Sequence, residues 1–205
     1  MNRELFCTAS LLATVLLGVS GVLTVGQAQG EEKVKPARSS AAEPDVTLTA
    51  GTWKDIEALV QAHRGRIVVV DIWSTSCLPC MTEFPNLVKL HQAHKGNVVC
   101  VSFNVDYVGI KNKPAEQYRA RVEEFVKKQK AEFTNILSTT ESDEVFKTLE
   151  LSSIPAVYVF GADGKEAKRF DDSLLQDGEE EAFTYEKDID PFVNSLVEKL
   201  KQPNE

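Results

Sequence analysis

Two cysteines, Cys77 and Cys80, are separated by two residues in the segment SCLPCMTEFP. Cysteines at this spacing can hold a metal ion, close a structural disulfide or carry out reversible thiol–disulfide exchange. A structural zinc site needs four ligands, and His91 and His94 lie more than ten residues further along the same predicted helix, too far away to complete one. A disulfide that closes so small a loop contributes little to stability. Thiol exchange is therefore the favoured chemistry, and no metal or other cofactor is expected.

The surrounding residues predict different roles for the two thiols. Cys77 lies where the β-branched run RIVVVDIW gives way to a helix, and helix N-terminal amides favour a thiolate. Pro79 suits the first helical turn, where its missing N–H is no loss. We expect Cys77 to be the exposed nucleophile and Cys80, one turn deeper, to be the resolving thiol. Asp71 interrupts the apolar run, and a carboxylate there is costly unless it is solvated or has a task.

The other two cysteines and the net charge limit the classes of function that the chain can have. Cys7 belongs to the apolar N-terminal segment, and Cys100 lies in VVCVSF, a pattern typical of a buried strand, where a free cysteine acts as a small core residue. The chain carries a formal charge of −8 and has a pI of about 5.1. This acidic balance argues against a nucleic-acid partner, because phosphates require a basic surface.

Residues 1–28 are predicted to direct the chain out of the cytoplasm. Residues 5–25 contain no charge, and Gly26 and Ala28 supply the small-x-small pattern of a signal-peptidase site. The alternative is a retained membrane anchor formed by residues 5–25, since that run is long enough to span a bilayer. Both alternatives place the rest of the chain in an extracytoplasmic space.

A polar linker over residues 29–46 is expected to lead into a single domain over 47–205. Helical and strand patterns alternate through the domain in the order α-β-α-β-α-β-α-β-β-α, with a hairpin turn at Asp163-Gly164. This order predicts an α/β fold in which helices cover both faces of a mixed sheet. The strongly acidic stretch 171–190 is expected to be a solvated loop, with a partner-docking surface as the alternative.

The segment VVVDIWSTSCLPCMTEFP resembles the active-site segment of the thioredoxin superfamily, and the extracytoplasmic TlpA/ResA-like thiol-disulfide oxidoreductases in particular. The resemblance covers residues 47–201. The features that carry it, in chain order, are Asp71 and Trp73 six and four residues before Cys77, the CxPC pair itself, Glu83-Phe84-Pro85 after it, an insertion at 107–131, and Ile154-Pro155 directly before the strand AVYVF.

This resemblance implies a thioredoxin-like three-layer α/β/α fold with a central mixed sheet and a helical insertion. It implies that Asp71 accepts the proton of Cys80, through a water molecule, as that thiol attacks. Pro155, in the cis form, would lie against the sulfurs, and the backbone of Ile154 would pair with an extended substrate segment. The residues assigned to substrate binding are Pro155, Ile154, Trp73 and Pro79, with Trp73 expected to pack beneath the site.

The predicted function is exchange of the Cys77–Cys80 couple with cysteines of extracytoplasmic proteins. The resemblance implies protein thiol or disulfide substrates, such as apocytochrome c or a copper protein, and a membrane-bound electron donor, but it leaves the direction of electron flow open. One alternative is a thiol peroxidase. Peroxiredoxins have a threonine three residues before the reactive cysteine and an arginine near it, whereas Ser74 stands at that offset and no arginine is close in sequence. Another is a non-catalytic binding module with the same fold.

Overall fold

A computed structural model describes residues 46–171 and 183–202. The predicted signal or anchor segment 1–28 lies outside the described residues, as does all but the last residue of the predicted linker. That last residue, Val46, is buried, so the packed domain starts at least one residue before the predicted boundary. Within residues 46–171 and 183–202, no helix combines the length and the apolar character needed to cross a bilayer.

Six strands and five α-helices make up the described chain. The strands are β1 (Leu48–Gly51), β2 (Ile67–Trp73), β3 (Val98–Asn104), β4 (Thr134–Ser138), β5 (Ala156–Phe160) and β6 (Glu166–Phe170). The helices are α1 (Trp53–Ala62), α2 (Leu78–Ala93), α3 (Arg119–Lys128), α4 (Ser142–Leu149) and α5 (Asp190–Lys201). A 3-10 turn (Ala115–Tyr118) precedes α3, and a π-helical turn (Tyr185–Ile189) leads into α5.

The strands form one mixed sheet in the order β1-β4-β3-β2-β5-β6. Neighbours among the first four strands are parallel, whereas β5 runs antiparallel to both β2 and β6. The hairpin between β5 and β6 turns at the predicted Asp163-Gly164, where Gly164 has the positive φ of 75° that favours glycine. The predicted mixed sheet is thus confirmed, with β1 as an additional edge strand that the sequence pattern did not indicate.

Helices cover both faces of the sheet, as predicted. One apolar cluster contains side chains from α2, α3 and α5, and the other contains side chains from α1 and α4. The central strand β2 contributes alternate residues to both clusters and every one of its seven residues is buried. Burial on both faces explains why its sequence is a continuous apolar run rather than an alternating one.

The sheet brings two chain segments together at its carboxyl edge. Trp73 at the end of β2 pairs with Asn104 at the end of parallel β3, and the Val105 N–H donates to the Trp73 carbonyl at 2.9 Å. The loop that enters α2 and the loop that leaves β3 therefore start side by side. The carboxyl ends of parallel strands are where α/β folds usually place their functional groups.

The acidic stretch 171–190 is not simply a solvated loop. Residues 172–182 lie outside the described residues, but Asp171 is buried and pairs with Arg169 at 2.6 Å. At the other end, Phe183, Tyr185 and Ile189 pack into the core on the α2 side of the sheet. The expectation of a solvated loop is wrong for these parts, because apolar and aromatic residues spaced between the acids are buried.

Candidate active site

Cys77 and Cys80 form a disulfide at the N-terminus of α2, with an S–S distance of 2.02 Å. Cys77 is the N-cap residue, and its sulfur accepts a hydrogen bond from the Cys80 backbone N–H at 3.2 Å. Pro79 lies in the first turn of the helix and is exposed. The Cys77 side chain is partly exposed, whereas only 2% of Cys80 is accessible to solvent. A partner sulfur can therefore approach Cys77 but not Cys80.

The segment before β5 closes over the same sulfur. The Ile154–Pro155 peptide bond is cis, and the Ile154 carbonyl oxygen lies 3.7 Å from the Cys77 Sγ. Ala156, which follows, begins β5 and pairs with Ile72 of β2. The sheet thus brings Ile154 against Cys77, although the two are more than 70 residues apart in the chain.

Trp73 does not offer its ring to a partner molecule. Its side chain is fully buried, and its ring centroid lies 4.8 Å from those of both Phe84 and Phe125. Full burial of the ring argues against the predicted contact between Trp73 and a substrate. Trp73 instead supports the site from below, which was the expected packing, by filling the space between β2, α2 and α3.

Asp71 lies on β2, two residues before Trp73, and its carboxylate is buried in the α2-side layer. Its Oδ2 accepts a hydrogen bond from the Tyr185 hydroxyl at 2.6 Å, while Oδ1 has no hydrogen-bond partner among the described residues. Burial raises the pKa of this carboxyl from 3.8 to about 7, against the lowering effect of the Tyr185 hydroxyl, and the nearby Glu83 adds to the rise. A carboxyl with a pKa near 7 can both take up and release a proton at neutral pH.

Asp71 is expected to make the stability of the oxidised protein fall as the pH rises. The folded protein holds this proton more tightly than the unfolded chain, so the stabilisation present below about pH 4 is lost as the pH rises to about 7, by on the order of 4 kcal/mol. Asp71→Asn keeps the shape but cannot ionise, so its stability should lack this slope and exceed that of wild type at about pH 8. Denaturant unfolding across this pH range measures the difference.

The matched control for that experiment is Asp55→Asn. Asp55 is an exposed carboxylate that accepts the Thr52 N–H at 2.7 Å, and the Thr52 hydrogen bonds lower its pKa. Its pKa is 3.8 in the unfolded chain and lower in the folded protein, so above about pH 5 Asp55 no longer titrates and this variant should keep the wild-type slope there. An Asp71→Asn protein with an unchanged slope would contradict the assignment of the raised pKa to Asp71.

A second buried acid, Asp106, organises the loop that enters α2. Its Oδ1 accepts hydrogen bonds from the Ser74 hydroxyl at 2.7 Å, the Thr75 N–H at 2.7 Å and the Asn104 amide at 3.2 Å. Its Oδ2 accepts from the Thr75 hydroxyl and from Arg121 Nε, the latter at 2.7 Å. The carboxylate is fully buried, so these donors replace the water it has lost.

This network continues to Cys77. The Cys77 N–H donates to the Ser74 carbonyl at 3.1 Å, and the Ser76 N–H donates to the Ser74 hydroxyl at 3.1 Å. Through Ser74, Asp106 therefore holds the backbone that presents Cys77 at the helix N-terminus. Arg121 on α3 ties the predicted helical insertion to the same loop.

Sequence reasoning missed Tyr185, Asp106 and Arg121 as members of the site. Tyr185 lies in a stretch whose acidic composition hid it, and Asp106 ends the predicted strand VVCVSFNVD, where no motif marked it. Glu83 belongs to a segment that the resemblance did single out, and its Oε2 accepts the Tyr185 backbone N–H at 3.2 Å. The signal that could have found Asp106 is its position just after β3, beside the end of β2.

The fold and the cysteine pair at the start of α2 define a thioredoxin-fold thiol-disulfide oxidoreductase. The sequence profile of the AhpC/TSA family matches residues 40–168, more than half of the chain, and the protein belongs to that family. The resemblance to the thioredoxin superfamily is thereby confirmed.

Curated relatives agree with this placement, and a solved structure agrees with the fold. The chain is 27% identical over 165 residues to the thiol-disulfide oxidoreductase ResA of Bacillus thuringiensis subsp. konkukian (strain 97-27), covering 80% of this chain and 85% of the relative. It is 23% identical over 168 residues to ResA of Bacillus subtilis (strain 168), covering 82% and 84%. The crystal structure of a DsbF homologue from Corynebacterium diphtheriae matches with a TM-score of 0.50 and 19% identity, over 67% of this chain and 76% of that one.

Proposed function

We propose that the protein exchanges its Cys77–Cys80 dithiol or disulfide with cysteines of extracytoplasmic proteins. The observation that carries this proposal is the position of the Cys77 sulfur, which caps α2, accepts the Cys80 N–H and borders the Ile154 carbonyl. The same N–H and the helix dipole favour the thiolate when the pair is reduced, and the thiolate is the attacking species.

In the reducing direction the reaction has two steps. The Cys77 thiolate attacks one sulfur of a partner disulfide, which forms a Cys77–partner bond, breaks the partner's bond and releases a partner thiolate that takes a proton from solvent. The Cys80 sulfur then attacks Cys77, closing the Cys77–Cys80 disulfide and releasing the second partner thiol. Two electrons pass to the partner, and the protein ends in the disulfide form that the structure shows.

Asp71 serves the second step in this proposal. Cys80 must lose its proton to attack, and Asp71 takes it through a water molecule. Its Oδ1 has no other hydrogen-bond partner among the described residues, and a pKa of about 7 lets it release the proton afterwards. In the oxidising direction the same groups act in reverse order.

The substrate would dock as an extended segment beside Ile154. A backbone that leads into a strand can pair with an extended peptide, and Ile154, which borders the Cys77 sulfur, is partly exposed together with Pro155. Leu78, which directly follows Cys77, is 71% exposed and offers an apolar contact next to the disulfide, with Pro79 beside it. These features support a protein partner rather than a small thiol.

Location and partners follow from the chain as a whole. The uncharged run 5–25 supports export, with or without anchoring to the membrane, and a disulfide persists in an oxidising compartment. A protein that acts there as a reductant needs a membrane-bound electron donor. Apocytochrome c or a copper-binding protein would be its substrate in that case, as the ResA-like resemblance implies.

An equilibrium redox titration of the Cys77–Cys80 couple tests the proposal and sets its direction. The protein is equilibrated in graded thiol/disulfide buffers and alkylated, and the reduced fraction is read from the masses. We expect a reversible two-electron transition. A potential near about −270 mV would mark a reductant and one near about −120 mV a disulfide donor. A pair that does not titrate between those limits would return the disulfide to a structural role.

The thiol peroxidase alternative has one observation in its favour and one against it. The fold brings Arg121 to the loop before Cys77, although no arginine is close in sequence. However, Arg121 binds Asp106, and the Ser74 hydroxyl is held by Asp106 and Ser76 at 2.7 and 2.8 Å. We expect no consumption of hydrogen peroxide above that of free thiols; rapid consumption by the reduced protein would favour the peroxidase.

A further inference from the structure

Among the described residues, one oxygen of the buried Asp71 carboxylate accepts a hydrogen bond and the other does not. Oδ2 accepts the Tyr185 hydroxyl at 2.6 Å, the one donor to this carboxylate within residues 46–171 and 183–202. Tyr185 is itself 1% exposed, so neither group can exchange this bond for one to bulk water. A hydrogen bond to a charged acceptor in such surroundings is both short and strong.

Tyr185 also reaches a second acid. Its backbone N–H donates to Glu83 Oε2 at 3.2 Å, and Glu83 lies on α2 three residues after Cys80. A single residue therefore binds one carboxylate through its side chain and another through its backbone. The two acids belong to different elements, and Tyr185 fixes their spacing.

The turn that carries Tyr185 is held at its start. The Thr184 N–H donates to the Asp188 carboxylate at 2.9 Å, and the Thr184 hydroxyl accepts the Lys187 N–H at 3.2 Å. Ile189 at the end of the turn is fully buried. The Tyr185 hydroxyl thus reaches Asp71 from a turn whose backbone is held in place, which restricts the rotamers open to this side chain.

Among the described residues, the other ionisable groups that act on this pair are Glu83 from α2, Cys100 from β3 and Asp190 from α5. Glu83 raises the pKa of Asp71, while Asp71 and Asp190 both raise the pKa of the Cys100 thiol. The Tyr185 hydroxyl acts in the opposite direction, because its hydrogen bond favours the ionised form of Asp71 and lowers the pKa of that carboxyl.

We propose that Tyr185 is a positioning residue for thiol exchange: its hydroxyl holds Asp71 Oδ2 and leaves Oδ1 as the atom that receives the Cys80 proton. The inference rests on the proposed function, in which Asp71 takes that proton. The Cys80 S–H proton moves to Oδ1 through water while the Cys80 sulfur bonds to Cys77 and the partner thiolate leaves. Tyr185 keeps its own proton throughout, since burial and the adjacent acid raise its pKa well above the ordinary value.

Tyr185→Phe in the full chain tests this role. The phenyl ring keeps the packing but donates no hydrogen bond, so Asp71 should ionise at higher pH. We expect the midpoint of the pH profile of insulin-disulfide reduction to rise by about one unit or more, because a hydrogen bond to a charged group is worth at least that much. Where the wild-type midpoint is near 7, such a rise lowers the rate at pH 7 about fivefold.

An infrared titration of the protonated Asp71 carboxyl gives a second readout that does not depend on activity. The band is identified by its loss in Asp71→Asn and should titrate at higher pH in Tyr185→Phe. The matched control is Tyr158→Phe, which removes a hydroxyl that donates to the Leu149 carbonyl at 3.2 Å in the apolar layer on the other face of the sheet. Its midpoint should equal that of wild type.

The outcomes separate this inference from the function on which it rests. A pH profile that Asp71→Asn leaves unchanged would overturn the proton role of Asp71 and, with it, the role of Tyr185. A profile that Asp71→Asn flattens, together with a wild-type midpoint in Tyr185→Phe, would overturn the Tyr185 inference alone. If Tyr185→Phe does not fold, Thr184→Ala, which loosens the turn, should raise the midpoint by a smaller amount, and a wild-type midpoint there would count against the proposal.

Discussion

Replacing Cys77 with serine is expected to reduce insulin-disulfide reduction to the uncatalysed rate, a loss on the order of 10³-fold or more. Cys77 is the sulfur that a partner can reach, since Cys80 is 2% exposed and is the third residue of α2. Serine fits the same cap position and can still accept the Cys80 N–H, so the fold should persist. The measurement is the initial rate of insulin precipitation with a thiol reductant.

Cys80→Ser is expected to block the second step of the exchange reaction rather than the first. Cys77 should still attack a partner disulfide, but no second thiol resolves the product, so a covalent complex accumulates. Non-reducing electrophoresis after mixing with insulin would show this complex, and added reductant would separate it into its two proteins. Cys100→Ala is the matched control, because Cys100 is the one unpaired cysteine in the described ranges and is buried away from partners. A complex formed by Cys77→Ser instead would reverse the two assigned roles.

Asp106→Ala is expected to produce the largest loss of stability among single changes near the site. The change removes the acceptor for five hydrogen bonds from Ser74, Thr75, Asn104 and Arg121, and of these residues Ser74 and Asn104 are buried. Buried donors left without acceptors should lower the free energy of unfolding by about 3 kcal/mol or more. Denaturant unfolding of the oxidised protein measures this change.

The same substitution should also slow thiol exchange. The loop that presents Cys77 loses the group that fixes it, so we expect insulin reduction to fall by about tenfold or more. Arg121→Gln is the control, because the arginine is 48% exposed and its ion pair is partly screened by water. That variant should lose less than about 1 kcal/mol. Equal losses in the two variants would show that the ion pair, rather than the loop hydrogen bonds, carries the effect.

Local patterns were enough to predict much of the fold and the cysteine chemistry. The run before Asp71 marked the central strand because burial on both faces leaves no polar alternation, and this signal is contained within a few residues. The resemblance to the thioredoxin superfamily, rather than a local pattern, predicted that the segment at Ile154 meets Cys77. The edge strand β1 left no such signal, because it has only four residues and two of them are exposed.

The partners of the two buried acids could not be read from the sequence. Tyr185 meets Asp71 across 114 residues, and Arg121 meets Asp106 only because the inserted helix α3 folds back over the loop. One hydrogen bond between two distant segments leaves no periodic pattern in the sequence. Composition pointed the wrong way for Tyr185, since the acids around it suggested solvent exposure while its own ring is in the core.

The separation between Asp71 and Tyr185 also sets an order of assembly. A chain emerges from the ribosome or from a translocation channel with its N-terminus first, so β2 and both reactive cysteines appear long before the final turn and α5. Until that last segment docks, the Asp71 carboxylate lacks its phenol and the core lacks Ile189 and Val193. A chain released before this last segment docks would therefore have the cysteine pair, but its Asp71 carboxylate would lack the hydrogen bond from Tyr185. Only the fully folded chain has the complete site.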